Sequence, residues 1–132
     1  MKTNIHSFKP AELLASLAAV APSISIETIW EHDDSLTDIR TDCEGMKNED
    51  PADWQAWQSE VRASCIVKGK EVSGSDYLGG TWEKAVDHPA KSNPEISGYL
   101  PQMIHEALNE LGKQIATGHP IQREINAALE II

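Results

Sequence analysis

Hydrophobic positions recur at spacings of three and four near the start of the chain, where Leu13, Leu14, Leu17, Val20 and Ala21 fall on one side of a helix. Pro10 suits the first helical position, Glu12 suits the positive end of the helix dipole, and Pro22 stops the run. The pattern then switches to strict alternation. From Ser23 to Glu31 it places Ile24, Ile26, Thr28 and Trp30 on one face and Ser25, Glu27 and Glu31 on the other, which predicts a half-buried strand. A clearer strand lies further on. Trp57, Ser59, Val61, Ala63, Cys65 and Val67 share one face and Gln58, Glu60, Arg62, Ser64 and Lys68 the other, with Ile66 out of pattern.

Lys68-Gly69-Lys70 predicts a hairpin turn, with Gly69 supplying the positive backbone angle. The return strand runs from about Glu71 to Trp82, where Gly74, Gly79 and Gly80 indicate a bulge or a close backbone approach. Glu83 to Ser97, with Pro89 and Pro94, reads as loop. A helix follows from about Gly98 or Pro101 to Thr117, its buried stripe made by Leu100, Ile104, Leu108, Leu111 and Ile115 and widened by Met103 and Ala107. Gly118 is expected to end it in the left-handed conformation. Pro120 opens a last helix with Ile121, Ile125, Leu129 and Ile132 on one side, and the apolar Ile131-Ile132 is expected to pack on the domain or on a second copy.

Helix, three antiparallel strands, helix, helix is the order of an α+β domain of two layers, and 132 residues are enough for one such domain with its own core. Double-stranded-RNA-binding domains share this order, but the basic surface they need for phosphate contact is missing here. Between the first two strands, about residues 32–53, the chain has no sustained period and reads as a long acidic loop. One turn of helix is expected around Pro51 to Trp57, with Asp50 as its cap.

Charge sharpens this picture. Eleven of the 21 acidic residues fall between Glu27 and Glu60 with only Arg40 and Lys47 to oppose them, so this window is net −9 in a chain of net −10. Such a balance excludes nucleic acid and anionic membrane surfaces as ligands, since both require clustered Lys and Arg. No apolar run approaches the roughly 20 residues that span a bilayer. The stretch from Leu13 to Ala21, headed by Glu12 and interrupted by Ser16, reads as a helix rather than a signal peptide, which places the protein in the cytoplasm. Cys43 and Cys65 read as two free thiols rather than a disulfide framework.

Motifs that carry chemistry are wanting. Asp33, Asp34, Asp38, Asp42 and Glu44 are hard oxygen donors, but their spacing does not match a calcium loop, and Asp42-Cys43-Glu44-Gly45 is only a fragment of one. His6, His32, His88, His105 and His119 form no zinc-ligand spacing, and His105-Glu106 lacks the second His of a metalloprotease helix. The serines have no nucleophile elbow. No catalytic residue, metal or cofactor is therefore expected, and the protein reads as a non-enzyme. Trp30 and Trp57 alternate onto apolar faces, whereas Trp54 and Trp82 lie near strand ends, and Trp54 beside the acidic loop is a candidate interface anchor.

At Ile26-Glu27-Thr28-Ile29-Trp30-Glu31-His32-Asp33-Asp34, at Glu60-Val61-Arg62-Ala63-Ser64 and at Tyr77-Leu78-Gly79-Gly80-Thr81-Trp82-Glu83, the chain resembles small accessory proteins of bacteriophages and prophages, over roughly Ser23 to Leu111. The resemblance implies a class often expressed to inactivate host defences. Joined with the charge, it predicts an anti-defence inhibitor, of the anti-restriction or anti-CRISPR kind, that docks on a basic host protein. Its partner-binding residues would be Glu31, Asp33, Asp34, Asp38, Asp42, Glu44, Glu49, Asp50, Asp53 and Trp54, with carboxylates taking the place of phosphates. The alternatives are a small metal-dependent enzyme using the acidic cluster and a structural or homo-oligomeric phage protein, for which a homodimer is one form.

Overall fold

A computed structural model describes residues 10–33, 35–36, 38–84 and 94–132. Helix α1 spans Pro10–Val20, strand β1 Ser25–His32, the single turn α2 Ile39–Asp42, β2 Trp54–Val67, β3 Lys70–Lys84, α3 Pro94–Lys113 and α4 Pro120–Ile131. The strands form one antiparallel sheet in the order β1-β2-β3. The fold is α+β, with the N-terminal helix and the two C-terminal helices in the expected places.

Alternation sets which face of β2 meets the helices. Val61, Ala63 and Cys65 join one apolar cluster with Leu13 and Leu17 of α1, Leu100, Ile104, Leu108 and Leu111 of α3, and Ile121 and Ile125 of α4. Trp57 and Ser59 are buried on the same side, while Gln58 and Ile66 are exposed on the other. Ser64 departs from the pattern: it lies on the outer face yet is buried, between the register partners Ser25 and Ser73. Val20 departs too, being exposed although the helical spacing put it on the apolar stripe. The Trp30 side chain, assigned to the core, is outside the described residues.

The three glycines of β3 do different work. Pairing runs Trp57 with Thr81 and then Ser59 with Leu78, so Gly79 and Gly80 together face Gln58 across a bulge. Gly74 is instead a close approach. A Cβ added there would stand 2.6 Å from the Ala107 carbonyl oxygen and overlap the Leu111 backbone nitrogen, so α3 rests directly on the β3 backbone. At the hairpin, Val67 pairs with Lys70 and leaves a two-residue loop in which Lys68 and Gly69 both have positive φ, 52° and 78°. That is the loop whose twist matches the strands, and Lys68 takes a left-handed angle expected only of Gly69.

Helix α3 differs from its expected bounds at both ends. It starts at Pro94 and runs through Pro101, and it stops at Lys113 rather than Thr117. Gly118 does take positive φ, 87°, but within the connection to α4 rather than at the helix end. His119 caps α4, its Nδ1 accepting from the Ile121 N–H at 3.1 Å. Ile131 and Ile132 pack on the main cluster. Of the loop expected over Glu83 to Ser97, Glu83 and Lys84 belong to β3 and residues 94–97 to α3, while residues 85–93 lie outside the described residues.

Because the obstruction at Gly74 is helix backbone, Gly74→Ala should destabilise the protein by about 1–3 kcal/mol, read as a lower urea midpoint. Gly45→Ala is the control, since a Cβ there meets nothing within 4 Å, and its midpoint should not move.

Candidate functional site

The acidic segment after β1 is more structured than its composition predicts. Instead of one long loop it forms α2 and two 3-10 turns, Glu44–Met46 and Pro51–Asp53. Asp50 caps the second turn as expected, accepting from the Ala52 N–H at 3.0 Å, but the turn ends at Asp53 and Trp54 already begins β2. His32 belongs to β1 rather than to the loop and stacks on its register partner Trp57 with ring centroids 4.1 Å apart.

Three attachments hold the segment to the sheet. The Asp33 N–H donates to the Ala56 carbonyl at 2.9 Å, which continues the β1–β2 ladder past His32. The Trp82 indole N–H donates to Asp42 Oδ2 at 2.5 Å. Ile39, the one large apolar residue of α2, is 1% exposed. Since Trp57 faces the helices, its neighbour Ala56 faces the opposite side of the sheet, as does its partner Trp82. Ala56 is nevertheless buried, and α2 contacts β2, so the acidic segment folds over the outer face at one end of the sheet.

Four of the nine expected carboxylates, Asp33, Asp38, Asp42 and Asp50, also shape the segment that displays them. Asp33 Oδ1 accepts from the Ser35 N–H at 3.3 Å and from the Ser35 hydroxyl. Asp38 caps α2, accepting from the Arg40 N–H at 2.9 Å and holding the Arg40 guanidinium at 2.8 Å. The guanidinium and then the backbone N–H keep Asp38 below the usual carboxylate range. One of the two cations of the window is thereby neutralised within it. Glu44 and Asp53 are exposed, Glu49 is half-buried, and Glu31 stands exposed at the end of β1 with the Gln58 amide 3.4 Å away. Trp54 is half-buried and lines a cleft of about 180 Å³ with His32, Asp33 and Trp82. Asp34 lies outside the described residues. Cys43 follows α2 as a free thiol, its pKa raised by burial and by Asp42. Among the described residues no three His, Cys, Asp or Glu side chains converge on a metal position, and no helix is long and apolar enough to cross a membrane.

Beyond the acidic segment the outer face of the sheet is open, and its side chains stand in rows set by the register. One row is Glu27, Arg62 and Ser75, and the next is Ile29, Glu60 and Tyr77. Arg62 grips Glu60 with two bonds, Nε at 3.0 Å and Nη2 at 3.1 Å, and the Ser75 hydroxyl donates to the same carboxylate at 2.6 Å. Sequence reading assigned this face to solvent and missed the network, whose only linear signal is that alternate positions carry opposite charges. Ser75 and then Arg62 hold Glu60 below its ordinary value, against the opposing effect of burial.

The chain matches no protein-family model, no curated protein and no solved structure.

Two measurements test the site's construction. Ile39→Ala should cost about 2–5 kcal/mol in urea denaturation if the acidic segment is held by burial of that side chain. An unchanged midpoint would show that the segment rests on the sheet without being anchored. The second concerns pH. A carboxylate whose folded pKa is depressed adds stability that is complete above its unfolded pKa, about 4.3, and is lost as pH falls through the folded value. Glu60→Gln should therefore be less stable than the parent near neutrality, and the difference should vanish on acidification. A gap that persists at low pH would mean that Glu60 acts through packing rather than charge.

Proposed function

We propose that this protein is a small acidic binding protein of the phage accessory kind, which inhibits a basic host protein by docking its acidic surface in that protein's cationic groove. The observation that carries the reading is the attachment of the acidic segment. Its carboxylates are borne on turns tied to the sheet through Ile39, the Asp42–Trp82 bond and the Asp33–Ala56 backbone bond. A segment ordered before binding loses less conformational entropy on docking than a slack loop of the same charge. Carboxylates spaced along such a ridge present negative charge to a groove built for phosphates, and they steer the approach of a cationic partner. The window's net charge of −9 supports the same reading, as does the pairing of Arg40 with Asp38, which leaves Lys47 as the other opposing cation. Work in the host cytoplasm and an anti-restriction or anti-CRISPR target belong to the proposal through the resemblance to phage accessory proteins.

Capture of the partner from host lysate on immobilised protein tests it. Binding should be strong at about 0.1 M salt and weak at about 1 M, where the Debye length falls from about 10 Å to about 3 Å. Neutralising Asp38, Asp42, Glu44 and Asp53 together, to Asn and Gln, should slow association with the captured partner several-fold and leave the melting curve nearly unchanged, because an amide oxygen at position 38 still caps α2 and one at position 42 still accepts from the Trp82 N–H. Trp54→Ala should act chiefly on dissociation. Association as fast and as tight as the parent's in the quadruple variant would remove the acidic segment from the interface.

A further inference from the structure

The geometry points to a subsite on the open sheet face, between Tyr77, Ile29 and the Glu31 carboxylate, that takes an arginine side chain of the protein partner. This inference rests on the reading of the chain as a binder of a basic protein, and it adds the chemical group recognised and the place where it sits.

Ile29, Glu31, Gln58, Ser59, Glu60 and Tyr77 line a recess of about 100 Å³ on the face opposite the helices. Tyr77 is 69% exposed, the largest exposure among the exposed large hydrophobic side chains of the described residues. A tyrosine ring on a sheet face offers a partner a flat apolar surface with a negative face. Its surroundings say which partner group fits. Glu60 is its direct neighbour across the β2–β3 ladder and Ile29 lies next to Glu60 across β1–β2, so aliphatic floor, carboxylate and aromatic ring stand in one row. Glu31 is two residues along β1 on the same face, beside Gln58. An anion in this recess would meet the Glu31 carboxylate, which has the Gln58 amide 3.4 Å away, and a purely aliphatic group would partly desolvate that carboxylate without bonding it. A cation suits both groups, through the negative face of the ring and through the Glu31 carboxylate.

Among cations, the planar guanidinium fits best. It stacks on an aromatic face while its edge bonds a carboxylate, which a compact ammonium cannot do together. The chain shows the second of these contacts already made by its own side chains: Arg62 forks onto Glu60 with two bonds. That pair and Ser75 fix the Glu60 carboxylate at the side of the recess and leave Glu31 as the group that an incoming guanidinium would bond. The recess also adjoins the acidic segment, because Glu31 is the penultimate residue of the strand from which that segment departs. One basic partner lying along the ridge therefore reaches both.

The test is a titration of isotope-labelled protein, followed by its backbone amide resonances, with the peptide acetyl-Gly-Arg-Gly-amide and with its citrulline counterpart, which keeps the shape and loses the charge. Saturable shifts at Ile29, Glu31, Gln58 and Tyr77 are expected with arginine and not with citrulline. Tyr77→Ala should weaken binding about two- to five-fold while Tyr77→Phe, which keeps the ring, should not. Glu31→Gln should weaken it as well. Equal shifts with citrulline, or a Tyr77→Ala variant that binds like the parent, would overturn the subsite. Shifts confined to residues 38–53 would also overturn it while leaving the docking of the acidic segment standing. Shifts at Tyr77, combined with partner capture that ignores the neutralised segment, would do the reverse.

Discussion

Helix α3 lies on the β2–β3 hairpin because Gly74 has no side chain, and the rest of the molecule is arranged around that contact. Gly74 pairs with Ala63 on β2, and Ala107 of α3 is fully buried, so three small residues meet where helix and sheet come closest. Bringing backbone onto backbone at one point lets the flanking Ile104, Leu108 and Leu111 fill the space to either side with none of their surface exposed. It also commits α3 to β2 and β3. Strand β1 meets α3 far less than β2 and β3 do, and its inward residues Ile26 and Thr28 are only half-buried. An open groove of about 390 Å³ between α1 and β1 is the consequence, floored by Ile24 and Ile26.

The opposite face of the sheet is divided by what covers it. At one end the acidic segment folds back over Ala56 and Trp82, and over the rest the side chains of Glu27, Arg62, Glu60 and Tyr77 face outward. A segment carrying so many carboxylates repels itself, and an ordered arrangement needs compensation. Part of it comes from using the charges as structural acceptors, as Asp38 and Asp50 do at their caps and Asp33 does at Ser35. Part comes from the burial of Ile39. The same residues that make the segment acidic thus help to order it, and they keep enough unneutralised charge for a field outside the protein.

What could be read along the chain follows from short-range physics. The helical stripes of α1, α3 and α4 and the alternation of β2 follow from periodicity, because neighbours on one face share one environment. The Asp50 cap and the turn at Gly69 were equally legible, since a side chain bonding two residues on, or a backbone angle that only certain residues tolerate, is a local event. Apart from that cap, the segment at 32–53 was legible only as charge. Its turns are too short to show a period, and the one apolar residue that anchors it, Ile39, makes no pattern by itself.

By itself, then, the sequence determined the α+β order, the faces of the strands and the concentration of negative charge in one window. Tertiary structure decided which glycine would bulge and which would touch a helix, although Gly74, Gly79 and Gly80 look alike in the chain. It also decided that α3 would begin at Pro94, ahead of the expected start, and stop short of Gly118. The candidate sites belong to the same class. Asp42 meets Trp82, and Glu60 meets Ser75 and Tyr77, only after the hairpin has paired and the acidic segment has closed over the end of the sheet. Periodicity reports the side of an element on which a residue lies; the identity of its neighbour from a distant part of the chain is set by register and packing, which depend on every element at once.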